Sequence, residues 1–268
     1  MKKTAYIIYG LLALVTTGLL VYDIFIAKDF TSSDLRKYIF IIIGIIVSII
    51  KLKTGSAKQS GNKKKLYQNA YSEFIQGAFS DDPKLEKRFY LAVDDYNRNR
   101  PAKAIEKLEK LRKECLKTAD IYAVIVFTAL CYDELRLSHL AAEFYAQALN
   151  IRPNSTLASN LGLCYGKMGK PEAAINAYNL SIRIDPNNAY PWNNLAQLYI
   201  GQAAYEEALP YAEKAAALNS KMPQAHAAMA ICHAMLGNEE EYTACYRRAV
   251  ACGYDGAKLK AYIQALRS

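Results

Sequence analysis

The chain divides into an apolar N-terminal part and a longer part in which apolar residues recur with the period of an α-helix. Residues 5–22 carry no charged side chain, and a helix of that length, at about 1.5 Å per residue, reaches about 27 Å. A second apolar run covers residues 38–50. Together the two runs predict a hairpin of two membrane-spanning helices within residues 1–50.

Both apolar runs admit another interpretation. The second is short and rich in isoleucine and valine, which also suit a buried β-strand, but the lysines at its ends favour a membrane span. The first follows Lys2 and Lys3 as in a signal peptide. Because no small-x-small cleavage site precedes Asp23, we expect this segment to be retained.

Positive charge is concentrated in the same N-terminal quarter. Residues 1–65 hold 11 lysines and arginines against three aspartates, whereas residues 66–268 hold 23 basic residues against 22 acidic ones. The near-neutral remainder argues against a nucleic-acid-binding domain. Eight of the 11 basic residues flank the outer ends of the hairpin, so the positive-inside rule places both termini in the cytoplasm. We therefore expect an integral protein of a bacterial plasma membrane with a cytoplasmic C-terminal domain.

Residues 51–65 predict a flexible basic linker between the hairpin and a folded domain over residues 66–268. Glycine, serine and lysine dominate this stretch, which has almost nothing to bury. Its lysines are candidates for contact with anionic lipid headgroups, and a topology signal is the simpler role for them. The lysines concerned are Lys51, Lys53, Lys63, Lys64 and Lys65.

The C-terminal part repeats itself every 34 residues, over residues 155–188, 189–222 and 223–256. Positions in register carry similar residues: Leu161, Leu195 and Met229; Tyr165, Tyr199 and His233; Gly169, Ala203 and Gly237; Ser181, Ala215 and Ala249. Small residues such as Gly162 and Ala174 let two helices approach, and large ones such as Tyr178 fill the space between them. The pattern predicts an all-α solenoid of helix pairs.

These units resemble the tetratricopeptide repeat. Residues 155–188 match its pattern with Leu161, Gly162, Tyr165, Ala174, Tyr178 and Pro186. Residues 189–222 match less completely, since Ala212 and Ser220 stand where an aromatic residue and a proline belong. In residues 223–256 Tyr242 replaces a small residue, which puts close packing in doubt there. Degenerate units over about 122–154 and 85–118 bring the solenoid to about four to five helix pairs.

Two amphipathic segments are candidates for caps at the ends of the solenoid. Residues 66–79 place Leu66, Ala70, Tyr71, Phe74, Ile75 and Ala78 on one helical face, which could instead lie on the membrane. Residues 256–267 place Leu259, Tyr262, Ile263 and Leu266 on another.

No motif for catalysis, nucleotide binding or cofactor binding occurs, so we predict a protein that is not an enzyme and holds no cofactor. His226 and His233 lie seven residues apart, near Cys232, and a metal site there is conceivable. Both histidines coincide with packing positions of the repeat, which favours a place in the core. The six cysteines have no zinc-site spacing and are expected to be buried free thiols.

The resemblance implies that the first helix of each unit lines a groove for a peptide or helix of a protein partner. The candidate binding residues are Asn160, Lys167, Tyr190, Asn193, Asn194 and Gln197, with Thr156, Ser159 and Leu163 beside them. Neighbouring units add Phe127, Leu130 and Glu134 upstream, and Gln224, Ala228 and Ile231 downstream. An amide can donate to and accept from a peptide backbone, and it can equally tie neighbouring helices together.

Two functions fit this organisation. The first is a membrane-anchored scaffold or adaptor that recruits a cytoplasmic protein. The alternative is an assembly or quality-control subunit of a larger membrane complex, in which Gly10, Gly18 and Gly44 of the spans would permit close helix packing.

Overall fold

The computed structural model describes residues 63–267, and every regular element in that range is helical. Residues 63–70 form a helix, and the short helix α1 (Ser72–Ile75) follows. The later helices are α2 (Pro83–Asn97), α3 (Pro101–Arg112), α4 (Thr118–Glu134), α5 (Ser138–Ile151), α6 (Ser155–Lys167), α7 (Pro171–Ile184), α8 (Ala189–Gly201), α9 (Tyr205–Leu218), α10 (Pro223–Met235), α11 (Glu239–Ala251) and α12 (Gly256–Arg267). They belong to one compact unit, Glu73–Ser268.

The predicted hairpin of residues 1–50 and most of the predicted linker lie outside the described residues. The last three residues of that linker, 63–65, belong to a helix. Between residues 63 and 267 no helix has both the length and the hydropathy that a bilayer crossing requires.

Helices α2 to α11 form five pairs, which confirms the predicted solenoid of helix pairs. The three clearest units begin where the 34-residue period placed them, with α6 starting at Ser155, α8 at Ala189 and α10 at Pro223. The two helices of each pair pack on one another, and α8 also packs on the first helices of both neighbouring units, α6 and α10. The first helices therefore stand side by side along one face of the solenoid.

Local sequence signals explain where these helices start. The Asn154 and Asn188 side chains cap α6 and α8 by accepting bonds from the backbone N–H groups of Leu157 and Tyr190 at 2.9 and 3.1 Å. Proline occupies the first position of several other helices, including α7 and α10, where a missing N–H costs no hydrogen bond.

The turn inside every unit contains one residue in the left-handed region of backbone conformation. These residues are Asn99 (φ 54°), Arg136 (φ 58°), Gly169 (φ 67°), Ala203 (φ 57°) and Gly237 (φ 79°). Glycine adopts this conformation without strain, whereas alanine and arginine do not. The turn geometry is thus a property of the repeat, and two units hold it with an unfavourable residue.

Two neighbouring units fill the space between their helices differently. In α6 and α7, Gly162 lies directly beneath the Tyr178 ring, and a Cβ at that glycine would come within 2.4 Å of the ring. In α8 and α9, the corresponding Ala196 and Ala212 are both small and fully buried. There the aromatic contact comes from Tyr211, whose ring stacks on Tyr199 with centroids 5.4 Å apart.

Helices α10 and α11 pack closely even though Tyr242 stands where the repeat pattern has a small residue. The small side chains come instead from α10, whose buried face consists largely of alanine, including Ala227, Ala230 and Ala234. Tyr242 is half-buried against this cluster. The close packing that Tyr242 put in doubt is therefore present, because one alanine-rich helix accommodates a large residue on its partner.

The two predicted caps differ in outcome. Helix α12 forms as predicted and buries Leu259 and Ile263, although Tyr262 is 46% exposed and does not share that face. The single helix predicted over residues 66–79 was wrong. The first helix stops at residue 70, and Gly77 and Phe79 adopt positive φ angles of 76° and 58°, which no α-helix tolerates.

Candidate binding groove

A segment of the chain itself, residues 73–79, lies over the start of α4. Arg152 Nη2 donates to the Glu73 carbonyl oxygen at 2.6 Å, and Asn154 Nδ2 donates to Glu73 Oε2 at 3.1 Å. At the other end of the segment the Phe79 backbone N–H donates to the buried carboxylate of Asp120 at 2.5 Å. These bonds fix the segment across the loop after α5 and the start of α4.

Aromatic side chains connect this segment to the core. The Phe79 ring stacks on Phe89 of α2 with centroids 4.6 Å apart, and Phe89 in turn meets Phe127 edge-on at 5.3 Å. Phe127 is 1% exposed, so its predicted place in the groove was wrong. Of the other two upstream candidates, Leu130 is half-buried and Glu134 is exposed.

Downstream, the groove-facing side of α10 is also inaccessible. Ala228 and Ile231 were predicted to line the groove, yet both are buried, and only Gln224 is exposed. Asn193 of α8, another predicted binding residue, is 7% exposed and does not line the open groove described below. Among the described residues its Oδ1 atom has no hydrogen-bond partner.

Between α4 and α10, an open groove of about 680 Å³ lies over α6 and α8. This volume is within the range of ordinary ligand sites. The residues that line it, which we call the α6–α8 groove, are Thr156, Ser159, Asn160, Leu163, Asp185, Asn187, Asn188, Ala189, Tyr190, Asn194, Leu218 and Asn219.

Half of the six predicted binding residues lie in the α6–α8 groove: Asn160, Tyr190 and Asn194, with the neighbouring predictions Thr156, Ser159 and Leu163. Lys167 and Gln197 lie outside its lining. Lys167 instead pairs with Asp133 of α4 at 2.8 Å, which links neighbouring units. Gln197 is exposed farther along α8.

The repeat pattern missed the loops that form one wall of the groove. Asp185, Asn187 and Asn188 precede α8, Leu218 is the last residue of α9, and Asn219 follows it. The sequence Asp-Pro-Asn-Asn over residues 185–188 is a turn signal that could have drawn attention to this wall. Here Asn188 Nδ2 donates to Ser155 Oγ at 2.9 Å, which fixes the loop to the start of α6.

Two of the groove asparagines, Asn160 and Asn194, lie one repeat apart, and each connects its own helix to an earlier one. Asn194 Nδ2 donates to Ser159 Oγ at 3.2 Å, and Asn160 Nδ2 donates to Tyr145 Oη at 3.5 Å. The interpretation that these amides tie helices together therefore describes their Nδ2 atoms. Their Oδ1 atoms take part in no hydrogen bond within the described part of the chain and remain acceptors.

The buried cysteines of the solenoid are packing residues. Burial raises the pKa of the Cys115 thiol to about 11 and those of Cys131, Cys164 and Cys232 to about 12, so these thiols stay protonated and unreactive at neutral pH. All six cysteines are free, and four of them are buried as predicted.

The histidines engage separate partners. His226 Nε2 lies 3.0 Å from the Ser220 carbonyl oxygen, whereas the buried His233 has Nδ1 3.4 Å from Asn238 Nδ2. In the region that the structure covers, no three potential metal-ligating side chains come together.

Comparison with known proteins places the central units in a family. Residues 158–188 and 177–209 each match a model described as tetratricopeptide repeat, so the chain contains tetratricopeptide repeats. No curated protein matches the sequence.

Solved structures agree on the fold. A MamA double mutant (MamA RS-1 ArsTM) is 15% identical over 63% of this chain and 94% of its own, with a TM-score of 0.57. A tetratricopeptide repeat protein from Parabacteroides merdae is 22% identical over 62% of this chain and 66% of its own, with a TM-score of 0.55. A thermophilic TPR protein from Thermus thermophilus is 19% identical over 68% and 97%, with a TM-score of 0.51. These likenesses concern the all-α solenoid fold alone.

Proposed function

We propose that this protein is an interaction scaffold that binds an extended peptide segment of another protein in the α6–α8 groove. The observation that carries the proposal is the difference between adjacent first helices. On α4 the predicted groove residue Phe127 is buried and residues 73–79 lie over the start of the helix, and on α10 Ala228 and Ile231 are buried, whereas α6 and α8 present an open groove. A solenoid that leaves one stretch of its first-helix face open has a defined place for a ligand.

The lining suits a peptide better than a small reactive substrate. Amide side chains dominate it, and they can bond the backbone of an extended chain. Leu163 and the 64% exposed Tyr190 supply apolar surface for side chains of the ligand. Nothing among residues 63–267 shows catalysis, and buried, protonated thiols are poor nucleophiles.

In this proposal the scaffold acts at a membrane. Support for this comes from the sequence: two apolar runs, residues 5–22 and 38–50, and the lysines that flank them. Both termini and the solenoid would then be cytoplasmic, so the groove would meet a partner on that side of the bilayer.

Site-specific photo-crosslinking tests the groove. A photoreactive phenylalanine analogue replaces Tyr190 in the full-length chain, and a matched control places it at Tyr262, which is also exposed but lies on α12. We expect discrete protein adducts at position 190 that are lost when Asn160 and Asn194 are both changed to alanine. The same adducts at both positions would contradict the proposal.

Accessibility to an impermeant thiol reagent tests the membrane arrangement. Cysteine introduced at Ser32, in the predicted loop, should be labelled in intact cells, whereas cysteine at Ser60 should be labelled only after lysis. The unaltered chain measures the background from the native thiols. Labelling of position 60 alone would refute the cytoplasmic placement, and recovery of the chain without membranes would refute the anchor.

A further inference from the structure

We infer that the peptide held in the α6–α8 groove presents an arginine side chain to it. This inference rests on the proposed function, because it specifies the chemistry of the segment that the same groove takes. Three features of the lining complement a planar cation: a carboxylate without an ion pair, an exposed aromatic ring, and amide oxygens that have no donor.

The carboxylate belongs to Asp185, the one charged side chain among the lining residues. One of its oxygens accepts the Asn187 backbone N–H at 3.0 Å, and it forms no ion pair within the described range. Lys167 pairs with Asp133, and the Arg152 guanidinium lies 3.9 Å above the Tyr122 ring. Arg183, two residues before Asp185, is exposed and does not line the groove. A ligand cation would therefore meet Asp185 without competition from a lining lysine or arginine.

The aromatic ring belongs to Tyr190, at the second residue of α8. Its backbone N–H donates to the Asn188 side chain, which fixes this first turn, while 64% of the residue is exposed. A guanidinium stacks on the face of such a ring, and the attraction survives partial exposure to water. Leu163 and Leu218 add apolar surface in the same groove for residues flanking the cation.

The amide oxygens are those of Asn160 and Asn194. Their Nδ2 atoms donate to Tyr145 Oη and Ser159 Oγ, whereas each Oδ1 accepts no hydrogen bond from the described residues. A guanidinium carries five N–H donors and no acceptor, so it complements oxygens of this kind. A lysine ammonium has three donors, is more strongly hydrated and does not stack in a plane, so arginine is preferred.

The same features disfavour an acidic ligand. A glutamate side chain or a C-terminal carboxylate would approach Asp185 and the amide oxygens with no lining cation to balance its charge. Lys221, two residues beyond Asn219, does not line the groove.

Peptide selection on the full-length chain tests the inference. The chain is reconstituted in lipid nanodiscs, and a random displayed peptide library is selected on it and, in parallel, on a Leu163→Ser, Tyr190→Ala variant. Peptides enriched on the first and not on the second are groove-dependent. We expect these peptides to be enriched in arginine and depleted in aspartate and glutamate.

Matched substitutions then measure the contribution of each group. In the most enriched peptide, arginine→lysine should weaken binding about two- to fivefold, and arginine→glutamine should weaken it further. In the protein, Asp185→Asn keeps the oxygen that accepts the Asn187 N–H and removes the charge. It should weaken the arginine peptide about two- to fivefold and leave the glutamine peptide unchanged.

The outcomes separate the inference from the proposed function. Groove-dependent peptides without arginine enrichment, or an Asp185→Asn variant that binds the arginine peptide equally well, would overturn the inference and leave the scaffold proposal standing. Absence of any groove-dependent peptide would overturn both.

Discussion

The faces of α4 and of α6 are built from the same repeat, yet one is closed and the other open. On α4 the predicted groove residue Phe127 is buried against Phe89 of α2, and residues 73–79 lie over the start of the helix, with the Phe79 N–H on Asp120. On α6 the corresponding surface contributes Thr156, Asn160 and Leu163 to the open groove. A family pattern therefore tells where a groove runs, and the packing of irregular segments decides which part of it stays accessible.

The largest effect is expected from removing the closing side chain. Phe79→Ala deletes a ring that is 3% exposed and stacked on another, which should lower the free energy of unfolding by about 3–5 kcal/mol. Chemical denaturation of the full-length chain measures it. The matched control is Leu116→Ala, a residue 92% exposed, which should change stability by less than about 0.5 kcal/mol. Equal effects of both variants would mean that the Phe79 ring is not packed against Phe89 as the structure has it.

A second variant addresses the open side. Gly162→Ala places a methyl group against the buried Tyr178 ring and should destabilise the chain by about 1–3 kcal/mol. Gly166→Ala, in the same helix with open space around its Cβ position, should instead stabilise it by about 0.5–1 kcal/mol. If Gly162→Ala proved as favourable as Gly166→Ala, the packing between α6 and α7 would be looser than the structure indicates.

The groove asparagines should affect binding more than stability. Asn160→Ala together with Asn194→Ala removes two amide oxygens from the lining and should weaken a groove-dependent peptide by about 1–3 kcal/mol. Isothermal titration calorimetry and a melting curve on the same sample separate the two effects. Unchanged affinity with a large drop in melting temperature would show that the amides serve only to connect helices.

The smallest effect concerns the turns that the units share. Ala203 adopts a φ of 57°, where Gly169 and Gly237 stand in the neighbouring units. Ala203→Gly should therefore stabilise the chain by up to about 1 kcal/mol, since relief of backbone strain outweighs the extra freedom of the unfolded chain. Gly169→Ala should do the reverse. A destabilising Ala203→Gly would show that the left-handed turn is not strained.

The sequence predicted most of the solenoid because its signals are local and periodic. The small and large residues at Gly162, Ala174 and Tyr178 recur with the period, and capping residues such as Asn154 mark the helix starts. These features act between residues close in the chain, so the unit boundaries at residues 155, 189 and 223 followed directly.

The accessible part of the groove could not be predicted in the same way. The hydrogen bonds that hold residues 73–79 over the start of α4 join residues 41 to 81 positions apart, such as Phe79 with Asp120 and Glu73 with Asn154. An amphipathic pattern over residues 66–79 predicted a helix, and only tertiary contacts select the turns at residues 76–79 that bury Phe79. The loop wall at Asp185 and Asn219 was missed because the repeat pattern directs attention to the first helices alone.

The affinity of a groove-dependent peptide for two tyrosine variants tests the central claim most directly. Tyr190 lines the groove and Tyr262 is exposed on α12, so both changes to alanine should leave the melting temperature nearly unchanged. The account predicts that Tyr190→Ala weakens binding about tenfold or more, as removal of an aromatic anchor does, whereas Tyr262→Ala binds like the unaltered chain. Equal affinity for the unaltered chain and the Tyr190→Ala variant, with both folded, would contradict it.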